Sequence, residues 1–228
     1  MADGINYSSK LIQSLELSLR SAFNQPHLEL TQKPHKPGGG FYVFLEKGDR
    51  IAQTDDGGEL TVLPILTSSG EVTTFYFAFV ATFRFFVRDY DLQHASLIVF
   101  HDICAGELVP LFRAEWDYLA AADTTSKHAQ PHWHFVQRPE RIEGIVRALI
   151  DPSPDFTAGE KSELFGGHVD YGKFHFAMTS LGRFQKQVFQ SDDFPKWFRS
   201  LTNYIAEQID YLLSKTSPAT TQDFVPGA

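Results

Sequence analysis

The residues best suited to chemistry sit in two short runs. His128-Ala-Gln-Pro-His132-Trp-His134 gathers three imidazoles, and Phe112-Arg113-Ala114-Glu115-Trp116-Asp117 sets a guanidinium and two carboxylates at alternate positions. Successive side chains of an extended strand point to opposite faces. His132 and His134 therefore share one face, with Trp133 and Phe135 on the other. By the same period Arg113, Glu115 and Asp117 point one way, and Leu108, Pro110, Phe112, Ala114 and Trp116 the other. Each segment offers an aromatic face to a core and an ionisable face to something else. If the two pair as antiparallel neighbours across residues 118–129, Glu115 and Asp117 lie beside His132 and His134, with directly opposed Cβ atoms about 4.5–5.5 Å apart. His128 can fold back onto the group. His175, in the alternating run Phe174-His175-Phe176-Ala177-Met178, joins it if that run is another strand of the same sheet.

Two chemistries use residues arranged this way. Neutral imidazoles of His128, His132, His134 and His175, with a carboxylate from the neighbouring strand, suit a divalent transition metal such as zinc or manganese, with a position left open for water. The metal would lower the pKa of that water and supply hydroxide. Without a metal, His132 and His134 with Glu115 or Asp117 provide general base and acid, and Arg113 or Lys127 stabilises a phosphoryl oxyanion. Both point to hydrolysis of a phosphoester, nucleic acid included. The competing account is structural, because histidines alternating with aromatics also occur on half-exposed sheet faces, paired to carboxylates for stability alone. His94, His101 and His168, taken singly, are read as structural, and His27 and His35 as solvated. Cys104 follows an apolar run and is read as a buried, inert thiol.

The elements that must position these residues follow from periodicity. Leu11, Ile12, Leu15, Leu19, Ala22 and Phe23 recur at helical spacing behind Ser8 or Ser9 as N-cap, which predicts an opening helix over 8–23. Residues 25–40, with three prolines and three consecutive glycines, read as a loop. Aromatic and β-branched runs then predict strands near 41–46, 60–66, 72–88, 95–101 and 108–117, joined by tight turns and so mainly antiparallel. The run 72–88 exceeds an ordinary strand and should bend or bulge near Ala81. Helical stripes return at Ile142, Ile145, Val146, Leu149 and Ile150, behind Pro139, and from Trp197 to Leu212, behind Asp193. The expected fold is α+β: a mainly antiparallel sheet of about six to seven strands, with the opening helix and two helices of the second half packed on it. Residues 1–215 form one domain and 216–228 a flexible tail.

Composition bounds the function. With 43% hydrophobic residues and 21 phenylalanines the chain can build a sizeable core. A net charge of −8 disfavours a broad nucleic-acid footprint, so nucleic acid enters as a substrate and not through a global basic patch. One cysteine and no apolar leader fit a cytoplasmic protein, and the most apolar stretch, Thr74 to Val87, is broken by Thr82 and Arg84 and too short to span a membrane. Gly38-Gly39-Gly40 precedes a strand, not a helix, and makes no phosphate-binding loop.

Three resemblances attach to the same residues. Pro131-His132-Trp133-His134-Phe135-Val136 resembles the His-x-His-x-His run of histidine-triad nucleotide hydrolases and departs from it at Val136. The His-x-His start also resembles the cupin metal pattern, with Glu140 near the glutamate position but at the start of a predicted helix. Phe112 to Asp117 followed by His128 to His134 is similar to the TumE-like bacterial toxin family, in which an acidic aromatic strand precedes a His-rich one. That likeness covers about 25 residues and implies a toxin–antitoxin or phage-defence setting. The leading expectation is a hydrolase acting through this site. The alternative is a non-catalytic subunit that docks to a protein partner or to a second copy, which the acidic charge and amphipathic helices also suit.

Overall fold

The computed structural model describes residues 5–35, 39–53, 58–86, 89–104, 107–117, 131–135 and 193–216. Chain order is α1 (Ser9–Ala22), β1 (Leu30–His35), β2 (Gly40–Leu45), β3 (Arg50–Gln53), β4 (Glu59–Leu66), β5 (Val72–Phe86), β6 (Asp89–Cys104), β7 (Glu107–Asp117), β8 (His132–Phe135) and α2 (Asp193–Thr216). The strands form one antiparallel sheet in the order β1-β2-β5-β6-β7-β8, with β4 also on β5 and β3 on β4. The α+β architecture follows the expectation, with two helices described. The stripe expected at 139–150, the run 174–178 and the tail beyond Thr216 lie outside the described residues. No helix among the described residues is long and apolar enough to cross a membrane.

The length of β5 has a structural reason. Its second half, from Val80 to Arg84, pairs β2, while its first half, from Val72 to Phe77, pairs β4. The opposite edge pairs β6 along its length. One long strand thus serves two short partners end to end. The irregularity expected near Ala81 occurs in the pairing with β6, where the register shifts between Thr82 and Phe83 because Gln93 is an extra residue on β6.

One face of the sheet is apolar and covered by both helices. Phe75, Phe77, Phe79, Ala81 and Phe83 of β5, Ala95, Leu97 and Val99 of β6, and Phe112, Ala114 and Trp116 of β7 share a core with Leu11, Leu15 and Leu19 of α1 and Phe194, Phe198, Leu201, Ile205 and Ile209 of α2. The Ser8 hydroxyl accepts the Leu11 N–H at 3.0 Å and caps α1, the first of the two serines the sequence offered. The opposite face carries a smaller cluster. Ala52 of β3 and Val62 of β4 pack on Ala78, Ile98 and Phe100, with Leu60, Tyr76 and Leu108 at the margin. Arg50 of β3 pins this hairpin down through a 2.5 Å ion pair to Asp102 and a guanidinium 5.1 Å from the Tyr76 ring centre.

Two local corrections follow. Residues 30–35, read as loop, form edge strand β1, where Pro34 is tolerated because an edge position need not donate to the ladder. Leu108 and Pro110, assigned to the face of Phe112, belong to the other one: Leu111 is an extra residue between the pairs Val99 to Phe112 and Phe100 to Pro110, and Leu108 packs with the hairpin cluster. A single bulge reverses the alternation of everything before it.

Candidate functional site

Beyond the hairpin's footprint, the face of β6 and β7 opposite the helices turns polar. The ladder puts His94 opposite Asp117, Ser96 opposite Glu115 and Ile98 opposite Arg113. On the far side of β7, backbone position 132 stands opposite Glu115 and position 134 opposite Arg113. The two segments singled out in the sequence are therefore antiparallel neighbours, in a register that makes Glu115 and Arg113 the direct partners of the two histidine positions. Trp133, opposite Ala114, packs on the helix-side core and meets the Phe112 ring edge-on at 5.6 Å.

Glu115 is the centre of the group. Its side chain is only 10% exposed, and a single oxygen, Oε1, lies 3.1 Å from His94 Nε2 and 2.8 Å from Arg113 Nε. The guanidinium contact is an ion pair without a directed hydrogen bond, since the buried Nε–H is not aligned on that oxygen. His94 and Arg113 are more open, with side chains 32% and 41% exposed. A desolvated carboxylate thus forms a floor, with an imidazole and a guanidinium at the rim. Burying that carboxylate without such partners would cost several kcal/mol, so the three groups act as a unit. Ser96, 2% exposed and cross-strand from Glu115, completes the floor, and its Oγ has no hydrogen-bond partner among the described residues.

Among the sequence-derived candidates, the structure joins Glu115 to Arg113 directly and sets positions 132 and 134 beside them in the ladder. Asp117 lies one step along the same face, opposite His94. His128, His175 and Lys127 lie outside the described residues. Among the described residues no group of three or more His, Cys, Asp or Glu side chains is placed to hold a metal ion. His94, read singly as structural, is the member that sequence reasoning missed. The expected strand near 95–101 stops one residue short of it, although His94-Ala95-Ser96-Leu97 already alternates polar with apolar.

His101, on the same strand, has a different environment. It is 1% exposed, stacks on Phe75 at 4.9 Å and has Nε2 3.0 Å from the Thr74 hydroxyl. Burial pushes its imidazole down to about 4, against the upward pull of the neighbouring Asp102 charge. The structural reading of His101 fits this site.

Set against known protein families, characterised proteins and solved structures, the chain matched none.

Proposed function

We propose that the protein hydrolyses a phosphoester, a nucleic-acid backbone included, by metal-free acid–base chemistry on the polar face of β7 and its neighbours. The observation that carries this reading is the environment of Glu115: one carboxylate oxygen shared by an imidazole and a guanidinium, with two further histidine positions in register on the next strand. The imidazole of His132 takes a proton from water as the water oxygen attacks phosphorus. The bond from phosphorus to the leaving oxygen breaks, and that oxygen accepts a proton. Arg113 offsets the charge that builds on the non-bridging oxygens. Arg113 at the inner carboxylate oxygen favours this route over a dication there, because a guanidinium and a divalent metal compete for the same lone pairs. The TumE-like resemblance is carried by the same two strands, and the toxin–antitoxin setting it implies is kept as part of the proposal.

The test is turnover of phosphodiester substrates by the purified chain beside the double variant His132→Ala/His134→Ala. The variant should lose at least about 100-fold in rate with an unchanged far-ultraviolet dichroism spectrum, and the wild type should keep its rate in EDTA. Full activity of the folded double variant would sink the assignment. A rate abolished by chelation and restored by zinc or manganese would replace the metal-free route with a metal-dependent one.

A further inference from the structure

We infer that His94 is a second catalytic histidine and acts as the general acid that protonates the leaving oxygen. The inference rests on the reaction proposed above. Hydrolysis of an ester with an alkoxide leaving group needs a proton donor as well as a base, and one imidazole cannot serve both sides of phosphorus in the same step. The ladder places a histidine on each side of β7: His94 on β6 and position 132 on β8, with Glu115 between them. Neighbouring strands lie about 4.8 Å apart, so the backbones of β6 and β8 are separated by roughly 10 Å. That width admits a phosphoryl group over the carboxylate floor, within reach of side chains from both flanking strands.

His94 itself has the features this role needs. Its side chain is 32% exposed, which gives access, while its contact to the 10% exposed Glu115 fixes the ring. Nε2 carries that contact, which leaves Nδ1 as the ring atom for proton transfer. Arg113, on the same carboxylate oxygen, sets the guanidinium next to the group being cleaved. The extra residue Gln93 between the pairs Phe83 to Leu92 and Thr82 to His94 brings His94 onto the polar face, when unbroken alternation from buried Leu92 would have turned it into the core. In the step itself the proton leaves Nδ1 for the departing oxygen as the bond to phosphorus breaks, and the proton taken from water at His132 returns the pair to balance after exchange with solvent.

A general acid is exposed by varying the leaving group. Two phosphodiesters serve as probes: thymidylyl-thymidine, whose leaving alkoxide requires a proton, and bis(p-nitrophenyl) phosphate, whose phenolate does not. His94→Ala and His94→Gln should each lose about 100-fold or more on the dinucleotide and under about tenfold on the nitrophenyl ester. His132→Ala should lose heavily on both. Equal losses of the folded His94 variants on both substrates, or none on either, would overturn the inference and leave the proposed reaction standing. Wild-type turnover of the nitrophenyl ester alone would also overturn it, because no competent acid is then present. Absence of wild-type turnover on both would overturn the proposed reaction and this inference together.

Discussion

Strand β6 carries two imidazoles seven residues apart, and the sheet treats them in opposite ways. His101 lies at the end of the helix-side face, stacked on Phe75 and closed off from solvent; His94 lies on the polar face, held by a carboxylate and open at its rim. Each has a hydrogen-bonding partner for Nε2, a threonine hydroxyl for one and Glu115 for the other. A neutral partner in a dry site asks only that the ring stay uncharged. A carboxylate partner fixes a ring that still reaches solvent, and that access is what proton transfer requires. The contrast is therefore between a histidine that contributes to stability and one available for chemistry, and it can be broken experimentally from either side.

The largest effect should come from His101. Folded, it stays neutral down to about 4, whereas the unfolded chain protonates through about 6.5. Between those values the unfolded state binds more protons, so stability should fall as pH is lowered from about 7 to 4 and level off below. At about 1.4 kcal/mol per pKa unit the full loss is on the order of 3 kcal/mol. Urea melts across this range should show that slope in the wild type and lose this contribution in His101→Phe/Thr74→Val, in which both partners become apolar. His94→Ala should leave the contribution of His101 to that slope in place and cost about 1 kcal/mol, the worth of one hydrogen bond to a carboxylate that keeps Arg113 beside it. If His94→Ala flattened the slope instead, the two histidines would have exchanged roles.

A smaller effect should separate the two halves of the polar-side face. Arg50 joins the β3–β4 hairpin to Asp102 and Tyr76. Arg50→Ala should cost about 1 kcal/mol in thermal or urea unfolding while the leaving-group pattern described for His94 stays intact. A change in that pattern would show that the hairpin belongs to the site and is more than the cover of its apolar neighbour.

How much of this was legible in the sequence depends on whether the information lies within a strand or between strands. The alternation of Phe112 to Asp117 and of His132 to Phe135 is local and indicates the strand type, whereas their pairing, which the ladder shows, entered the sequence reading only as a condition. The Ser8 cap and the stripe of α2 are local in the same sense. The bulges at Gln93 and Leu111 are properties of a pair of strands, one residue more on one side than on the other, and no single run reveals them. The bulge at Leu111 hid the true face of Leu108, whereas His94 follows the bulge at Gln93 and already alternates with Ala95, Ser96 and Leu97. Strand β1 was lost for another reason: its proline reads as a breaker until the strand is known to lie on an edge.

Ser96 gives the smallest and most discriminating prediction, because its sign is unusual. A buried hydroxyl normally finds a partner, and leaving one without costs about 1–3 kcal/mol relative to a satisfied group. Ser96 Oγ has none among the described residues, although it is cross-strand from Glu115. Removing an unsatisfied hydroxyl relieves that cost and deletes little volume, so Ser96→Ala should raise stability by about 0.5–1 kcal/mol, read as a higher urea midpoint at unchanged slope. The same variant tests whether the floor beneath the site is inert. If it is, the His94 leaving-group pattern survives at full rate. A stabilised variant with a reduced rate would mean that Ser96 is kept, at a cost in stability, for what it does to Glu115, and would extend the chemical half of the comparison one residue deeper along β6.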